Sequence, residues 1–245
     1  MLETDESVRH CFAMKPVRVA SYNIRKAIGT DRRRSPERVL EVLAEVDADV
    51  IALQEADKRF GVRSAAIPPW LLESLSPYKP VPLNVQVDSM GWHGNAILVR
   101  KEAEIGVHDV LHLPCLEPRG ATMAEVTLGK AKMRVFGMHL DLSGLWRRKQ
   151  AAAVIHAAAA RDTMPTVLMG DLNEWSAERG CLADFARHYS FAPCGRSFHA
   201  RRPVARLDRI MHCGQLKLED CGVHDSAAAR KASDHLPIWA EFRVG

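Results

Sequence analysis

The sequence has no Cys-x-x-Cys pair, although it contains six cysteines. They are scattered along the chain, at Cys11, Cys115, Cys181, Cys194, Cys213 and Cys221. This spacing disfavours a zinc site or a thioredoxin-type redox site, because both use closely spaced thiols. We therefore expect a reduced protein that resides in the cytoplasm, where disulfides are rare.

The beginning of the chain lacks a long apolar run and contains Glu3, Asp5 and Glu6. It therefore resembles neither a secretory signal nor a membrane anchor. We expect residues 1–15 to form a partly disordered tail. Residues 16–245 should form a single domain, because no linker, repeat or change of composition divides them. No exposed apolar hairpin predicts stable membrane insertion, and no feature of the sequence indicates a protein partner.

The 245 residues are 47% hydrophobic, which is enough to bury a sizeable core. The formal net charge of +4 is mildly basic. Such a charge suits an anionic partner without establishing one.

The most informative stretch is an apolar run, residues 167–170, that leads into Asp171, Leu172 and Asn173. It predicts a buried strand whose end carries polar groups. Side chains alternate across a strand, so Asp171 and Asn173 should share one face. Ligand sites of open α/β sheets lie at such strand ends. A turn that merely ends the strand is the alternative interpretation.

Polar residues also lie at the ends of other predicted strands. Asn23 ends a strand that starts near Pro16, and Glu55 ends the strand of residues 49–55. Glu55 would cost several kcal/mol if it were buried without a partner, so it requires a cation, an arginine or exposure to solvent. His139 ends the second arm of a predicted hairpin formed by residues 121–128 and 133–140. A lone histidine is more often a structural residue than a catalyst.

The last third of the chain adds two more groups. Asp208 lies in an alternating strand of residues 205–211, and Asp234 and His235 precede a final strand that runs to Phe242. An aspartate beside a histidine can orient the imidazole and stabilise its charged form. Coincidence could explain any one of these groups, but acids, amides and histidines at so many strand ends predict a shared site.

Helix signals lie between the strands. Ser35 as N-cap and Pro36 at the first position predict one helix, and a short helix is expected over residues 70–75. The Ala-rich residues 145–162 predict a third helix, whose basic first turns are disfavoured by the helix dipole. Residues 176–188 predict a fourth.

With these blocks in order, the sequence resembles the endonuclease/exonuclease/phosphatase superfamily, which has the DNase I-like fold. The matching blocks are residues 21–24, 53–55, 94–98, 139–140, 170–173, 207–210 and 233–238. The resemblance implies an α/β fold, a four-layer α/β/β/α sandwich of two mixed β-sheets flanked by helices. It also implies Mg²⁺ or Mn²⁺ as cofactor. Residues 22–26 and 171–175 look most like a small bacterial branch whose substrate the resemblance leaves open.

The resemblance also implies roles for individual residues. Glu55 would be the principal metal ligand, with Asn23 beside it and Asp234 joining directly or through water. Asp171 would orient and deprotonate the attacking water. Asn173 and His235 would hold the phosphoryl oxygens. Asp208 would pair with an imidazole, most simply that of His235, and His139 would lie near the leaving oxygen. The implied substrate-binding residues are Arg25, Asn95 and Arg119.

These features predict a divalent-metal-dependent phosphodiesterase, with nucleic acid as the leading substrate. The basic residues Arg25 and Lys26, 32–34, Arg119 and 147–149 could track a phosphate backbone. A phospholipid or sphingomyelin phosphodiesterase, with residues 67–70 touching the membrane, is one alternative. A phosphomonoesterase is another, although the Trp-Cys-Asp-Arg-Ile block of inositol polyphosphate 5-phosphatases is missing. The Asn-Gly pair of abasic-site endonucleases is missing as well. A catalytically idle binding scaffold is an alternative of a different class.

Overall fold

The computed structural model describes residues 15–57, 64–83 and 88–244. The predicted tail, residues 1–15, lies outside these ranges except for Lys15. In the described part of the chain, the strands form two mixed six-stranded sheets. The order in the first sheet is β11-β12-β1-β2-β4-β3, and the order in the second is β5-β6-β7-β8-β10-β9.

Each sheet is built from strands of both halves of the chain, and their bounds follow. The first sheet contains β1 (Val17–Asn23), β2 (Val50–Gln54), β3 (Tyr78–Pro80), β4 (Ala96–Arg100), β11 (Leu216–Val223) and β12 (Ile238–Val244). The second contains β5 (Glu104–His112), β6 (Gly120–Leu128), β7 (Ala131–His139), β8 (Thr166–Asp171), β9 (Ser190–Phe191) and β10 (Asp208–His212).

Five α-helices are present in the described part of the chain. They are α1 (Pro36–Val46), α2 (Pro69–Leu75), α3 (Gly144–Ala159), α4 (Cys181–Phe185) and α5 (Ala229–Ala232). Ser35 caps α1 by accepting a hydrogen bond from the backbone N–H of Arg38. This is the start that the sequence predicts, because a serine followed by proline satisfies and preorganises the first turn.

Three apolar layers hold the sandwich together. Apolar residues between the sheets, among them Val19, Val50 and Val135, form the central layer. A second cluster packs α1 and α2 on the outer face of the first sheet. A third packs α3 and α4 on the outer face of the second sheet. The predicted four-layer α/β/β/α architecture is therefore confirmed.

The fourth predicted helix is much shorter than the sequence indicated. The prediction covered residues 176–188, but α4 contains only Cys181–Phe185. Gly180 precedes it with φ of 63°. A Cβ at this position would lie 2.3 Å from Oε2 of Glu174, so only glycine fits here. This left-handed glycine prevents the helix from starting earlier.

Two parallel strand pairs determine where the polar strand ends meet. β1 pairs with β2 and β7 pairs with β8, both in parallel, near the centre of their sheets. β10 and β12 run antiparallel to β8 and β1, so they start at the edge where their neighbours end. Asn23, His139 and Asp171 are the last residues of their strands. The topology therefore brings the predicted site residues to one edge of the sandwich.

Candidate active site

The carboxylate of Asp171 is the centre of this edge. Its Oδ2 accepts a hydrogen bond of 3.0 Å from Nδ2 of Asn23. Nε2 of His139 lies 3.4 Å from the same oxygen, and Nε2 of His235 lies 3.7 Å from it. The other oxygen, Oδ1, accepts the backbone N–H of Asn173 at 2.9 Å. Asp171 is only 1% exposed, so these donors replace the water that burial removes.

Asp208 contacts His235 at Nδ1, the ring nitrogen that faces away from Asp171. Nδ1 of His235 lies 2.9 Å from Oδ2 of Asp208, which also accepts a hydrogen bond from the hydroxyl of Ser197. Burial opposes a charge on His235, but Asp208 and Asp171 outweigh it and raise the imidazole pKa to about 10. His235 is therefore an imidazolium at neutral pH, with Nε2 directed toward Asp171.

His139 has the opposite electrostatic environment. Nη1 of Arg119 lies 2.7 Å from Nε2 and 2.8 Å from Nδ1 of His139. A guanidinium can only donate, so the ring must offer a lone pair and stay neutral. Burial, together with the charge of Arg119, lowers the pKa of His139 to about 3 although Asp171 opposes the shift. The site thus contains one charged and one neutral imidazole beside the same carboxylate.

Asn173 does not occupy the position that strand alternation predicts. β8 ends at Asp171, and Asn173 has a left-handed backbone with φ of 49°. Its Nδ2 donates to the carbonyl oxygen of Leu140 at 2.9 Å, so this side chain fastens the loop after β8 to the end of β7. The expectation of one shared strand face for Asp171 and Asn173 was wrong, because the chain turns between them. The two residues remain neighbours through the Asn173 backbone.

A strained turn follows β1. Arg25, Lys26 and Ala27 have φ of 47°, 58° and 60°, a conformation that costs non-glycine residues about 1 kcal/mol or more each. The turn sends two consecutive cations to two acids. Nε of Arg25 lies 3.3 Å from Oδ2 of Asp234, and Nζ of Lys26 contacts Oε2 of Glu55. Glu55 and Asp234 therefore lie on either side of one basic turn.

Asn23 links this turn to Asp171. Its Oδ1 accepts the backbone N–H of Arg25 at 3.1 Å while its Nδ2 donates to Asp171. The hydroxyl of Ser233 donates to the carbonyl oxygen of Asn23 at 2.6 Å, which anchors the chain segment that carries Asp234. The three predicted metal ligands are thus linked through one turn. Glu55 and Asp234 contact Lys26 and Arg25, and Asn23 is bonded to the backbone of that turn and to the Asp234 segment.

Asn95, a predicted substrate-binding residue, is fully buried. Its Nδ2 donates to the carbonyl oxygens of Trp92 and Gly120, at 3.2 and 3.0 Å. Its Oδ1 has no hydrogen-bond partner among the described residues. Gly120 follows Arg119, so Asn95 fixes the chain that places Arg119 against His139.

Two arginines of the predicted basic cluster of residues 147–149 pair with acids, whereas Lys149 is exposed. Arg147 is buried, and its Nη2 lies 3.1 Å from Oε2 of Glu174. Its Nη1 donates to the carbonyl oxygen of Leu142 at 2.6 Å. Nε of Arg148 pairs with Asp184. The basic start of α3 thus stabilises the loops after β7 and β8. In contrast, Arg32 and Arg33 are exposed.

Sequence reasoning missed three residues that support the site. The sequence indicated Lys26 only as part of a basic loop, and it predicted no role for Ser197 or Ser233. Ser233 precedes Asp234 and His235 directly, so the motif could have indicated it. Ser197 is 11 residues from Asp208 and carries no local signal.

The family profile described as the endonuclease/exonuclease/phosphatase family matches residues 20–235. The chain belongs to this family. Its members are divalent-metal-dependent phosphoester hydrolases, so membership supports that class for this chain. No curated protein matches the sequence.

Several solved structures have the same fold as this chain. An endonuclease/exonuclease/phosphatase from Bacteroides vulgatus is 17% identical, with a TM-score of 0.73 over 94% of this chain and 99% of that one. A Bacteroides thetaiotaomicron mannosyl-6-phosphatase is 19% identical, with a TM-score of 0.73 over 93% and 99%. The D. rerio TDP2, complexed with a single-strand DNA product, is 18% identical, with a TM-score of 0.72 over 94% and 99%. At these identities the likeness concerns the fold alone.

Proposed function

We propose that the protein is a Mg²⁺- or Mn²⁺-dependent phosphodiesterase that cleaves nucleic acid. The observation that carries the proposal is the convergence of Asn23, His139 and His235 on Oδ2 of Asp171. A buried carboxylate that is surrounded by one neutral and one charged imidazole can accept a proton from water and face a phosphate at the same time.

The oxygen ligands fit a hard divalent cation. Glu55 and Asp234 offer carboxylates at the site edge, and each already contacts a cationic side chain. Asn23 adds an amide oxygen that accepts only one hydrogen bond from the described residues. Such oxygens suit Mg²⁺ or Mn²⁺ better than zinc. A cation held there would supply Lewis-acid stabilisation of charge on the phosphoryl oxygens.

A second set of candidate ligands fits less well. Asp171, Asp208 and His235 place one ligand-type atom each within 4.8 Å of one another. Nδ1 of His235 is directed at Asp208, and the charges of Asp208 and Asp171 raise the pKa of this imidazole, so the trio favours a proton on His235. We therefore assign this trio to proton transfer and charge stabilisation.

The side chains divide the reaction between them. Asp171 accepts the proton of the attacking water, and Asn23 keeps its carboxylate oriented. His235, held by Asp208, donates Nε2–H to a non-bridging oxygen as negative charge develops. The neutral His139 lies near the leaving oxygen and does not protonate it, because its lowered pKa leaves no imidazolium to ionise.

Charge and fold support nucleic acid as substrate. Arg25 and Arg119 lie at the site, and Arg32 and Arg33 extend the positive surface. The D. rerio TDP2 of the same fold is complexed with single-strand DNA product. Five of the cysteines are described, and all five are free thiols, which supports the cytoplasmic location that we propose.

Phosphomonoester hydrolysis is the second candidate, because a mannosyl-6-phosphatase has the same fold. A phospholipid substrate has less support. Of the proposed membrane contact, Trp70 is exposed but Ile67 is fully buried. No helix in the described ranges is long and apolar enough to cross a membrane.

A substrate panel with Mg²⁺ or Mn²⁺ tests the proposal. It contains bis-p-nitrophenyl phosphate, p-nitrophenyl phosphate, single- and double-stranded DNA, abasic DNA, RNA and sphingomyelin. We expect hydrolysis of the diester and of DNA or RNA. Activity confined to the monoester would favour the phosphatase, and hydrolysis of none would favour a binding scaffold.

A further inference from the structure

A cavity of about 530 Å³ lies next to the active site, at the outer side of the second sheet beside α4. Arginines line part of it, and apolar side chains line the rest. The lining residues used below are Trp175, Val204, Arg196, Arg206 and Arg209, and the Glu178 carboxylate. We call it the Arg209 cavity.

Arg209 is a largely buried cation at the wall of the cavity. It is 9% exposed and lines the cavity, and its Nη1 donates a hydrogen bond of 3.1 Å to the carbonyl oxygen of Asp208. Among the described residues no carboxylate forms an ion pair with it. Burial lowers the pKa of Arg209, and the nearby charge of Asp208 opposes this. A buried arginine ordinarily requires an anionic partner, because desolvation is costly.

The charge balance around the cavity is positive. Arg196 and Arg206 join Arg209 in lining it, whereas Glu178 contributes one negative charge and pairs with none of the three in the described chain. An anionic group that enters the cavity would therefore meet donors in several directions. Arginine is suited to phosphate and carboxylate, since its planar fork donates two parallel hydrogen bonds.

An aromatic path joins the cavity to the catalytic residues. Trp175 is 65% exposed, and its ring meets Phe198 edge-to-face with a centroid distance of 5.9 Å. Phe198 in turn lies 4.9 Å from the ring of His235. Val204, which is 57% exposed, provides further apolar surface. A flat exposed indole beside a charged cavity can stack on a planar ring, since such stacking tolerates any base.

From these features we infer that the Arg209 cavity binds a second anionic group of the substrate, linked to a planar ring that stacks on Trp175. This is the chemistry of a nucleotide next to the cleaved phosphodiester. The inference rests on the proposed function, because it assigns the cavity to the substrate of the same site. Arg209 provides the buried charge, and Trp175 provides the ring contact.

Binding of AMP, adenosine and inorganic phosphate, measured by calorimetry without divalent metal, tests the site independently of catalysis. AMP should bind the wild-type protein more tightly than adenosine or phosphate, because only AMP has both groups. Arg209→Met should weaken AMP binding by about tenfold or more, and Trp175→Ala should weaken it by a smaller factor. Arg187→Met, a change at a side chain that is 71% exposed and pairs with Asp184, is the matched control and should bind AMP normally.

Kinetics then connect the cavity to the substrate. Arg209→Met should raise KM for a nucleic-acid substrate by a larger factor than KM for bis-p-nitrophenyl phosphate, because that diester has no second anionic group. Arg187→Met should leave both KM values unchanged. Arg206→Gln, at the rim, should raise the same KM by a smaller factor, and it keeps the test valid if Arg209→Met does not fold. AMP should compete with nucleic acid but not alter hydrolysis of bis-p-nitrophenyl phosphate.

Several outcomes would overturn the inference. One is equal AMP affinity in the wild type, Arg209→Met and Arg206→Gln. Another is an effect of AMP on bis-p-nitrophenyl phosphate hydrolysis, which would indicate an effector site instead. If the wild type hydrolyses no phosphoester yet binds AMP through Arg209, the proposed function fails and the binding site stands. If it hydrolyses nucleic acid while AMP binding does not depend on Arg209, the proposed function stands and the binding site fails.

Discussion

Oδ2 of Asp208 lies 2.9 Å from Nδ1 of His235, while Oδ1 of the same carboxylate is buried without a partner among the described residues. The acid thus directs its charge to one imidazole nitrogen. The other nitrogen of that ring is left to face Asp171 and the substrate. This asymmetry makes Asp208 a positioning residue that sets the charge of His235.

Asp208→Asn should therefore lower the pKa of His235, which is about 10 in the wild type. The wild type should keep the part of its activity that depends on charged His235 until the pH rises toward about 10. The variant should lose activity at a lower pH, because its imidazole gives up the proton earlier. The pH profile of kcat, with the His235 pKa measured by NMR, checks this. Ser197→Ala is the control, since it removes a hydroxyl donor to Asp208 but leaves the charge.

The sign of the effect on stability follows from the same shift. A folded-state pKa raised above the ordinary histidine value of 6.5 means that the folded protein holds the proton more tightly. This contribution is fully present below about pH 6.5 and is lost as the pH rises through about 10. In Asp208→Asn, the free energy of unfolding measured with urea should therefore fall less at alkaline pH than it does in the wild type. An unchanged pH profile in both assays would contradict the role of Asp208.

Glu55→Gln should weaken Mg²⁺ binding while the fold is retained, because glutamine keeps the shape and removes the charge. Calorimetry measures the affinity, and Glu73→Gln on the exposed face of α2 is the control. Equal Mg²⁺ affinity in Glu55→Gln and the wild type would show that the carboxylate does not hold the metal.

Lys26 supplies a complementary measurement, because its ammonium contacts the Glu55 carboxylate that the metal would use. Lys26→Gln should raise Mg²⁺ affinity by several-fold, since it removes both a competitor for Glu55 and a like charge. Lys130→Gln, at an exposed turn, should have no effect. A lower affinity in Lys26→Gln would mean that Lys26 organises the metal site instead of competing for it.

The lowered pKa of His139 predicts that the folded protein loses stability in acid. Its folded pKa is about 3, well below the ordinary value of 6.5, so between these values the unfolded chain binds a proton that the folded protein excludes. The stabilising contribution is full above about pH 6.5 and falls as the pH drops toward 3. Urea unfolding at about pH 7 and about pH 4.5 should show a smaller acid loss for His139→Gln than for the wild type. His156→Gln, exposed on α3, should behave as the wild type.

The resemblance to a known family implied the fold, and the site edge could be predicted from the residues, because polar groups end several apolar strands. The loop conformations could not. Three successive non-glycine residues with positive φ at Arg25–Ala27 contradict local preference. The backbone hydrogen bonds of the turn, and the contacts of Arg25 and Lys26 with Asp234 and Glu55, offset the strain. Strain of this kind comes from tertiary contacts and leaves no local signal.

The partners of Arg147 were hidden from sequence for a similar reason. The residue lies in a basic run that is typical of a solvated or phosphate-binding surface. Its partner Glu174 is 27 positions away, so the ion pair depends on how α3 packs against the loop after β8. A run of basic residues predicts a cationic surface only when none of its members forms an ion pair with an acid that is distant in sequence.

This difference between the basic clusters predicts a split in salt dependence. Arg32→Gln with Arg33→Gln should flatten the dependence of nucleic-acid binding on salt, by about 0.9 in log-log slope for each lost duplex phosphate contact. Arg148→Gln should leave the slope unchanged, because Arg148 pairs with Asp184. Binding measured by fluorescence anisotropy over a salt series tests this. Equal slopes in all variants would favour a small or lipid substrate.

Asp171 and His235 should act as one unit, because they approach within 3.7 Å and face the same phosphorus in the proposed mechanism. Asp171→Asn should lower kcat by roughly 10²- to 10⁴-fold with little change in substrate affinity. His235→Ala should lose a similar factor, since it removes a donor aimed at developing charge. The double variant should lose far less than the product of the two factors, because each group depends on the other. Single-turnover rates at saturating Mg²⁺ measure the cycle, and a fully multiplicative loss or an active Asp171→Asn enzyme would refute the mechanism.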